Sequence, residues 1–355
     1  MPIVTVSQLK FGDRLNEDVV TKLGSVLFQK GKTVQQKELD ILSAFLISSV
    51  SIEPRQGDEV ETEEMVRPDD EPLQGLMLLY KEYEKTFQLL RKVFTTATAG
   101  GTLPILDIRN TTESLFRVID HYNILTFTPK NVNVREYILH NSILVAMTSY
   151  LLAKWHGFPQ KDLIPIALAG LFHDIGNIRV DSAILEKPGR LQLHELEEIK
   201  RHTVYGYQIL KGVAAINEGV KLVALQHHER LDGSGYPLAL NGDKIHPYSK
   251  VVSIADIFHA MTSNRQHRKA ESAYLVLEQL YKESFGKLDP TMVQTFINKL
   301  TALHNGTLVR LSDNRIGEIV FTDRSNPTRP MVNVNGAIIN LVTNGSLHIK
   351  EVIRR

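Results

Sequence analysis

From about residue 73 to residue 305, apolar side chains return every three or four positions. Leu76, Leu79, Tyr80, Tyr83, Phe87, Leu90, Val93 and Phe94 draw one stripe of an amphipathic helix. The run Ala99, Gly100, Gly101, Thr102, Leu103, Pro104 ends it. The same spacing predicts helices near 107–122, 131–156, 161–175, 193–213, 218–228, 248–263, 271–284 and 289–304. Almost nothing here alternates with a period of two, so residues 73–305 read as an all-α domain. The ends of the chain differ. Short apolar runs at 3–6, 26–28 and 49–52, with a helix-like segment at 36–46, predict a small α+β module over residues 1–55. β-type runs at 307–311, 316–321, 331–334 and 337–342, separated by turn residues, predict a small β-barrel or curled sheet over residues 306–355. Between Asp58 and Glu71 lie eight acidic residues, with Pro68 and Pro72, so residues 56–72 read as an exposed linker. The fold class expected is mainly α, a helical core flanked by two small accessory modules.

Composition narrows the function classes. Hydrophobic residues make up 43% of the 355 and charged ones 23%, the balance of a soluble globular protein with more than one domain. A formal net charge of +1 gives no bulk attraction to a nucleic-acid polymer. The absence of cysteine excludes disulfides and thiolate metal sites. No signal-peptide pattern and no apolar run near the roughly 20 residues of a membrane span is present, so the expectation is a cytoplasmic protein without a membrane partner.

The chemistry is concentrated in the helical stretch. His173 and Asp174 end the apolar run 163–172, where a buried imidazole and carboxylate need partners. Glu136 and His140 are four residues apart, on one helical face. His202 lies in a predicted helix, His227 and His228 close the apolar run 220–226, and Asp256 interrupts the run 250–258. Taken singly, each suits a capped or hydrogen-bonded polar residue. Together they supply enough nitrogen and oxygen donors for two or three divalent cations. The loop that follows, His227-His228-Glu229-Arg230-Leu231-Asp232-Gly233-Ser234-Gly235-Tyr236-Pro237, is far more specific than any glycine turn.

This pattern resembles the HD-GYP branch of the HD-domain metal-dependent phosphohydrolases, with specific motifs over residues 130–270. The resemblance implies an all-α HD-domain core. It also implies hydrolysis of cyclic di-GMP to linear pGpG, GMP or both, through a water activated between two or three iron or manganese ions. It makes His173, Asp174, His202, His227, His228 and Asp256 ligands of a metal pair, with His173 and Asp174 the catalytic pair of the motif and Asp174 bridging. His140 matches the family's first histidine, a metal ligand, and Glu136 matches the carboxylate through which trinuclear members hold a third ion. Asn177, Gly235, Tyr236, Arg265 and Arg268 fall at substrate positions, the two arginines suited to phosphate oxygens. The flanking modules loosely resemble accessory modules of such proteins and are candidates for homo-oligomer or signalling contacts.

Two departures matter. Asn177 stands where the family has a lysine, a loss worth about 1–3 kcal/mol of transition-state stabilisation unless another cation, such as Arg179 or Lys187, replaces it. Arg265-Gln266-His267-Arg268 replaces the family's Arg-Pro-Tyr-Arg, and His259 stands where an acidic residue is common. These departures keep two other readings open: a slow or inactive cyclic di-GMP receptor that retains its metal, and a hydrolase of another nucleotide.

Overall fold

The computed structural model describes residues 3–6, 9–21, 26–44, 47, 49–53, 71–130, 136–187, 189–264, 269–302 and 305–353, and the chain divides into two units, 1–66 and 67–355. In the first unit β1 (Ile3–Thr5) pairs antiparallel with β4 (Ser49–Ser51), and β2 (Val19–Val20) with β3 (Val26–Phe28). Helix α1 (Gln36–Ala44) lies between β3 and β4 in the chain, and Leu15, Val34, Leu42 and Ile52 centre a small core. Most of the acidic segment at 56–72 lies outside the described residues.

The second unit opens with the long helix α2 (Glu71–Thr98), followed by α3 (Ile105–Arg117), α4 (Tyr137–His156) and α5 (Gln160–Phe172). Helix α4 is apolar around its whole circumference and is buried from Leu139 to Ala153, as a central helix must be. Its Ile143, Val145, Met147 and Leu152 are wholly enclosed, each worth about 1.5–3 kcal/mol of burial. A 3-10 turn at Ile175–Arg179 and the short α6 (Ser182–Leu185) lead to α7 (Leu193–Lys200) and α8 (His202–Lys211).

The single helix expected over 193–213 is therefore broken at Arg201. The reason is local: the His202 ring bonds the Ile199 carbonyl at 2.7 Å and the Thr203 hydroxyl donates to the Lys200 carbonyl at 3.0 Å, competing with the helical ladder. Helices α9 (Glu218–Gln226), α10 (Pro247–Thr262), α11 (Ala273–Glu283) and α12 (Pro290–Thr301) complete the helical core. Pro247 and Pro290 sit in the first turns of their helices, where a missing N–H costs nothing.

The chain ends in a five-stranded antiparallel sheet: β5 (Leu308–Leu311), β6 (Ile316–Phe321), β7 (Met331–Val334), β8 (Ala337–Asn340) and β9 (Ile349–Val352), in the order β8-β7-β6-β5-β9. With β8 and β9 at its edges, it is a sheet rather than a closed barrel. Tyr274 of α11 is buried in the core of this sheet, and the Ser272 hydroxyl donates to the Ile349 carbonyl, so β9 is fixed against the helices.

Candidate metal centre

Four side chains from three places in the sequence converge. One ligating atom from each of Asp174, His202, His227 and His228 lies within 4.8 Å of all the others. Asp174 follows the end of α5, His202 starts α8, and His227 and His228 follow the end of α9. Gly176 makes the approach of the 3-10 turn to α8 feasible. A Cβ there would lie 1.9 Å from the His202 carbonyl oxygen.

The tautomers follow from the backbone. Nδ1 of His173 faces the Gly170 carbonyl at 2.8 Å, Nδ1 of His202 the Ile199 carbonyl at 2.7 Å, and Nδ1 of His227 the Val223 carbonyl at 3.0 Å. A carbonyl can only accept, so each Nδ1 carries a proton and Nε2 is the nitrogen left to face a cation. The Nε2 atoms of His202 and His227 are only 3.2 Å apart. Two lone pairs at that separation repel unless a proton or a cation lies between them. Nε2 of His173 is buried without a hydrogen-bond partner among the described residues, 3.4 Å from Asp174 Oδ2 and 3.5 Å from Asp256 Oδ1. Asp174 Oδ1 faces the other side, 3.3 Å from His202 Nε2 and 3.7 Å from His227 Nε2. One carboxylate thus serves two donor groups, an arrangement suited to bridging two cations.

Electrostatics agree. Burial would push His173 down, but the Asp174 and Asp256 carboxylates outweigh it and hold the ring up at about 9. Burial would raise Asp174 and Asp256, but their histidine neighbours hold both carboxyls well below the usual range. Burial pushes His202 and His228 down, keeping their lone pairs free. A cluster that keeps two buried carboxylates ionised, and His202 and His228 unprotonated, is a donor set for divalent metal, and the carboxylates that favour a proton on His173 would favour a cation there in its place.

The remaining expected residues are placed as follows. His140 takes a hydrogen bond at Nδ1 with the Tyr83 hydroxyl (2.8 Å) and stacks on Phe87, while its buried Nε2 has no partner among the described residues. It is not one of the four converging side chains. Its neighbour Asn141 reaches the centre instead, donating to Asp256 Oδ1 at 3.3 Å. Glu136, at the start of α4, forms an ion pair with Arg91 of α2. The Asn177 amide is buried and turned back, donating to the Asp174 carbonyl at 3.1 Å. Lys187 is bound to both oxygens of Glu195, and Arg179 to Gln208. Arg265 and Arg268 lie outside the described residues.

The glycine-rich loop caps the cluster. Tyr236 stacks on His228 with ring centroids 4.7 Å apart, and Lys200 Nζ lies 5.7 Å above the same tyrosine ring. Gly235 packs so tightly on the chain at 228–230 that a Cβ would meet the Arg230 nitrogen at 2.4 Å. The buried Glu229 carboxylate accepts from the Leu238 and Leu240 N–H groups at 2.7 and 2.9 Å, closing the loop. Tyr83, Asn141, Lys200 and Glu229 are the contributors that sequence reading missed. Only Glu229, inside the motif, carried a signal that could have found it.

The HD domain family matches residues 123–292, the span that carries every converging side chain. Over that span the chain is similar to the HD domain family. A cyclic di-GMP phosphodiesterase of Pseudomonas aeruginosa is 31% identical over 217 residues, 61% of this chain and 52% of that protein. A 3′3′-cGAMP-specific phosphodiesterase of Vibrio cholerae is 34% identical over 160 residues, 44% of this chain and 35% of that one. The chain thus spans about half or less of the length of these relatives. A HDG"Y"P protein from Bdellovibrio bacteriovorus shares the fold, with a TM-score of 0.50 at 15% identity, over 85% of this chain and 99% of that one. The HD-GYP resemblance read from the sequence is borne out, as is the helical HD core. Among the described residues no helix is long and apolar enough to cross a membrane.

Proposed function

We propose that this protein is a metal-dependent phosphodiesterase that hydrolyses cyclic di-GMP to linear pGpG and GMP in the cytoplasm. The observation that carries the proposal is the Asp174 carboxylate, with one oxygen toward His173 and the other toward His202 and His227, whose Nε2 lone pairs face each other. His173, Asp174, His202, His227, His228 and Asp256 would hold two divalent ions, iron or manganese. Glu136, spent on Arg91, makes a third ion the weaker expectation. When bound, such a pair supplies Lewis acidity at the phosphoryl oxygens and lowers the pKa of water to near neutrality.

The chain's own residues do the rest. The carbonyls of Gly170, Ile199 and Val223 hold three imidazoles in the tautomer that leaves Nε2 free. Asn141 orients the Asp256 carboxylate through Oδ1. Tyr236 covers His228 and keeps bulk water from that edge of the cluster. Lys200, above the Tyr236 ring and paired with Glu197 at 2.7 Å, is the cation that would meet the substrate's phosphate where Asn177 supplies no charge.

The relatives named for cyclic di-GMP and for 3′3′-cGAMP support the substrate class. Manganese- or iron-loaded protein incubated with cyclic di-GMP should release pGpG and then GMP, and a His173→Ala/Asp174→Ala variant should release neither. An unchanged rate in that variant would place the reaction elsewhere. The second reading, a receptor that binds without turnover, is favoured by one observation: the Asn177 amide serves the backbone. Tight binding with no product after prolonged incubation, and turnover gained by Asn177→Lys, would decide for it.

A further inference from the structure

A cavity of about 630 Å³ lies between α4, the C-terminal turn of α10 and strand β9. Its volume is in the range of small-molecule sites. It adjoins the metal centre rather than a remote face: Asn141 lines it while donating to Asp256, and His140 lines it with a ring 5% exposed and an unpartnered Nε2. Leu144 and Phe258 give it apolar surface, and Lys350, Glu351 and Val352 of β9 also line it. The charge on Glu351 is offset by Arg310 at 2.6 Å, whereas Lys350 bonds the neutral amide of Asn314 at 3.0 Å and keeps its charge. Lys350 therefore makes the β9 rim positive, in a cavity that the acidic Glu271 also lines.

We infer that β9 of the C-terminal sheet is the specificity wall of the substrate site, holding against Val352 and beneath Lys350 the nucleoside of the cyclic dinucleotide that does not carry the scissile bond. The inference rests on the phosphodiesterase reading above and gives residues 306–355 a role in binding. An apolar slot takes the face of a purine, and the lysine meets the phosphate on its far side. Contacts remote from the reacting phosphorus act alike on ground and transition states, so their loss appears in KM.

The test uses full-length, metal-loaded protein with two variants, Val352→Trp to fill the slot and Lys350→Glu to reverse the rim charge. Bis(p-nitrophenyl) phosphate, a diester too small to need the cavity, is the second substrate. The expected result is a KM for cyclic di-GMP raised at least tenfold by Val352→Trp and several-fold by Lys350→Glu. The KM for the small diester should shift less than twofold, and bound metal should stay constant. Lys350 is exposed, so its variant carries the test even if tryptophan at 352 impairs folding. Equal KM values for cyclic di-GMP in wild type and Lys350→Glu, or parallel losses on both substrates, would overturn the inference. Wild-type protein inactive on both diesters would overturn the phosphodiesterase reading, and the inference with it.

Discussion

Gly176→Ala asks whether the 3-10 turn after Asp174 sets the position of His202. The added Cβ would lie 1.9 Å from the His202 carbonyl oxygen and 2.4 Å from the Gly206 nitrogen, both backbone atoms that no rotamer change can move aside. Ordinary carbon–oxygen contacts begin at about 3.3 Å, so α8 must withdraw by roughly 1.4 Å. His202 Nε2 now stands 3.3 Å from Asp174 Oδ1 and 3.2 Å from His227 Nε2, and metal–ligand distances tolerate only about 0.2 Å. The overpacking should cost about 1–3 kcal/mol of stability. Metal affinity should fall further than stability does, by at least tenfold. The assay is a manganese titration of metal-free protein, read by calorimetry, beside a thermal melt of the same sample. A Gly176→Ala variant that folds and binds manganese as tightly as wild type would refute the reasoning, because α8 would not be what holds His202 in the cluster.

Three further outcomes are expected. Chelation should lower the melting temperature of wild type by several degrees, through loss of a ligand that binds only the folded state, and should leave His227→Ala nearly unmoved; equal shifts would contradict the site. Lys200→Met should lower kcat/KM for cyclic di-GMP about tenfold without changing bound metal, and an unchanged value would remove this lysine from substrate binding. His259 is buried, bonded to Thr148 at 2.7 Å, and burial pushes it down to about 3. Because its folded pKa lies below the ordinary value, its contribution is complete above about pH 6.5 and is lost as pH falls toward 3, at about 1.4 kcal/mol per unit. Urea denaturation at pH 7, 6 and 5 should show that slope, and His259→Gln should flatten it. Identical slopes would exclude His259 as the titrating group.

The helices were legible wherever a polar face and an apolar stripe alternate, as in α2, and wherever the apolar run is unbroken, as in α4. The Leu171-Phe172-His173-Asp174-Ile175-Gly176 and Gly235-Tyr236-Pro237 motifs were legible because their chemistry is local in sequence. Contacts made across the fold were not. Nothing in the pattern pairs Arg91 with Glu136, Tyr83 with His140 or Asn141 with Asp256, because each joins residues 45 or more positions apart. The break at Arg201 was hidden for the opposite reason: two side-chain bonds to carbonyls three residues back override a continuous helical period. Strand β9 escaped because Lys350 and Glu351 interrupt its apolar alternation, being turned toward Asn314 and Arg310. That strand borders the cavity beside the metal centre.

The central claim is that these imidazoles and carboxylates form one cluster for a pair of divalent cations. An anomalous difference map from a crystal of the manganese-loaded protein tests it most directly. Two peaks flanking the Asp174 carboxylate, one shared with His173 and Asp256 and the other with His202 and His227, are expected. A single peak outside this cluster, or none at full manganese loading, would contradict the account.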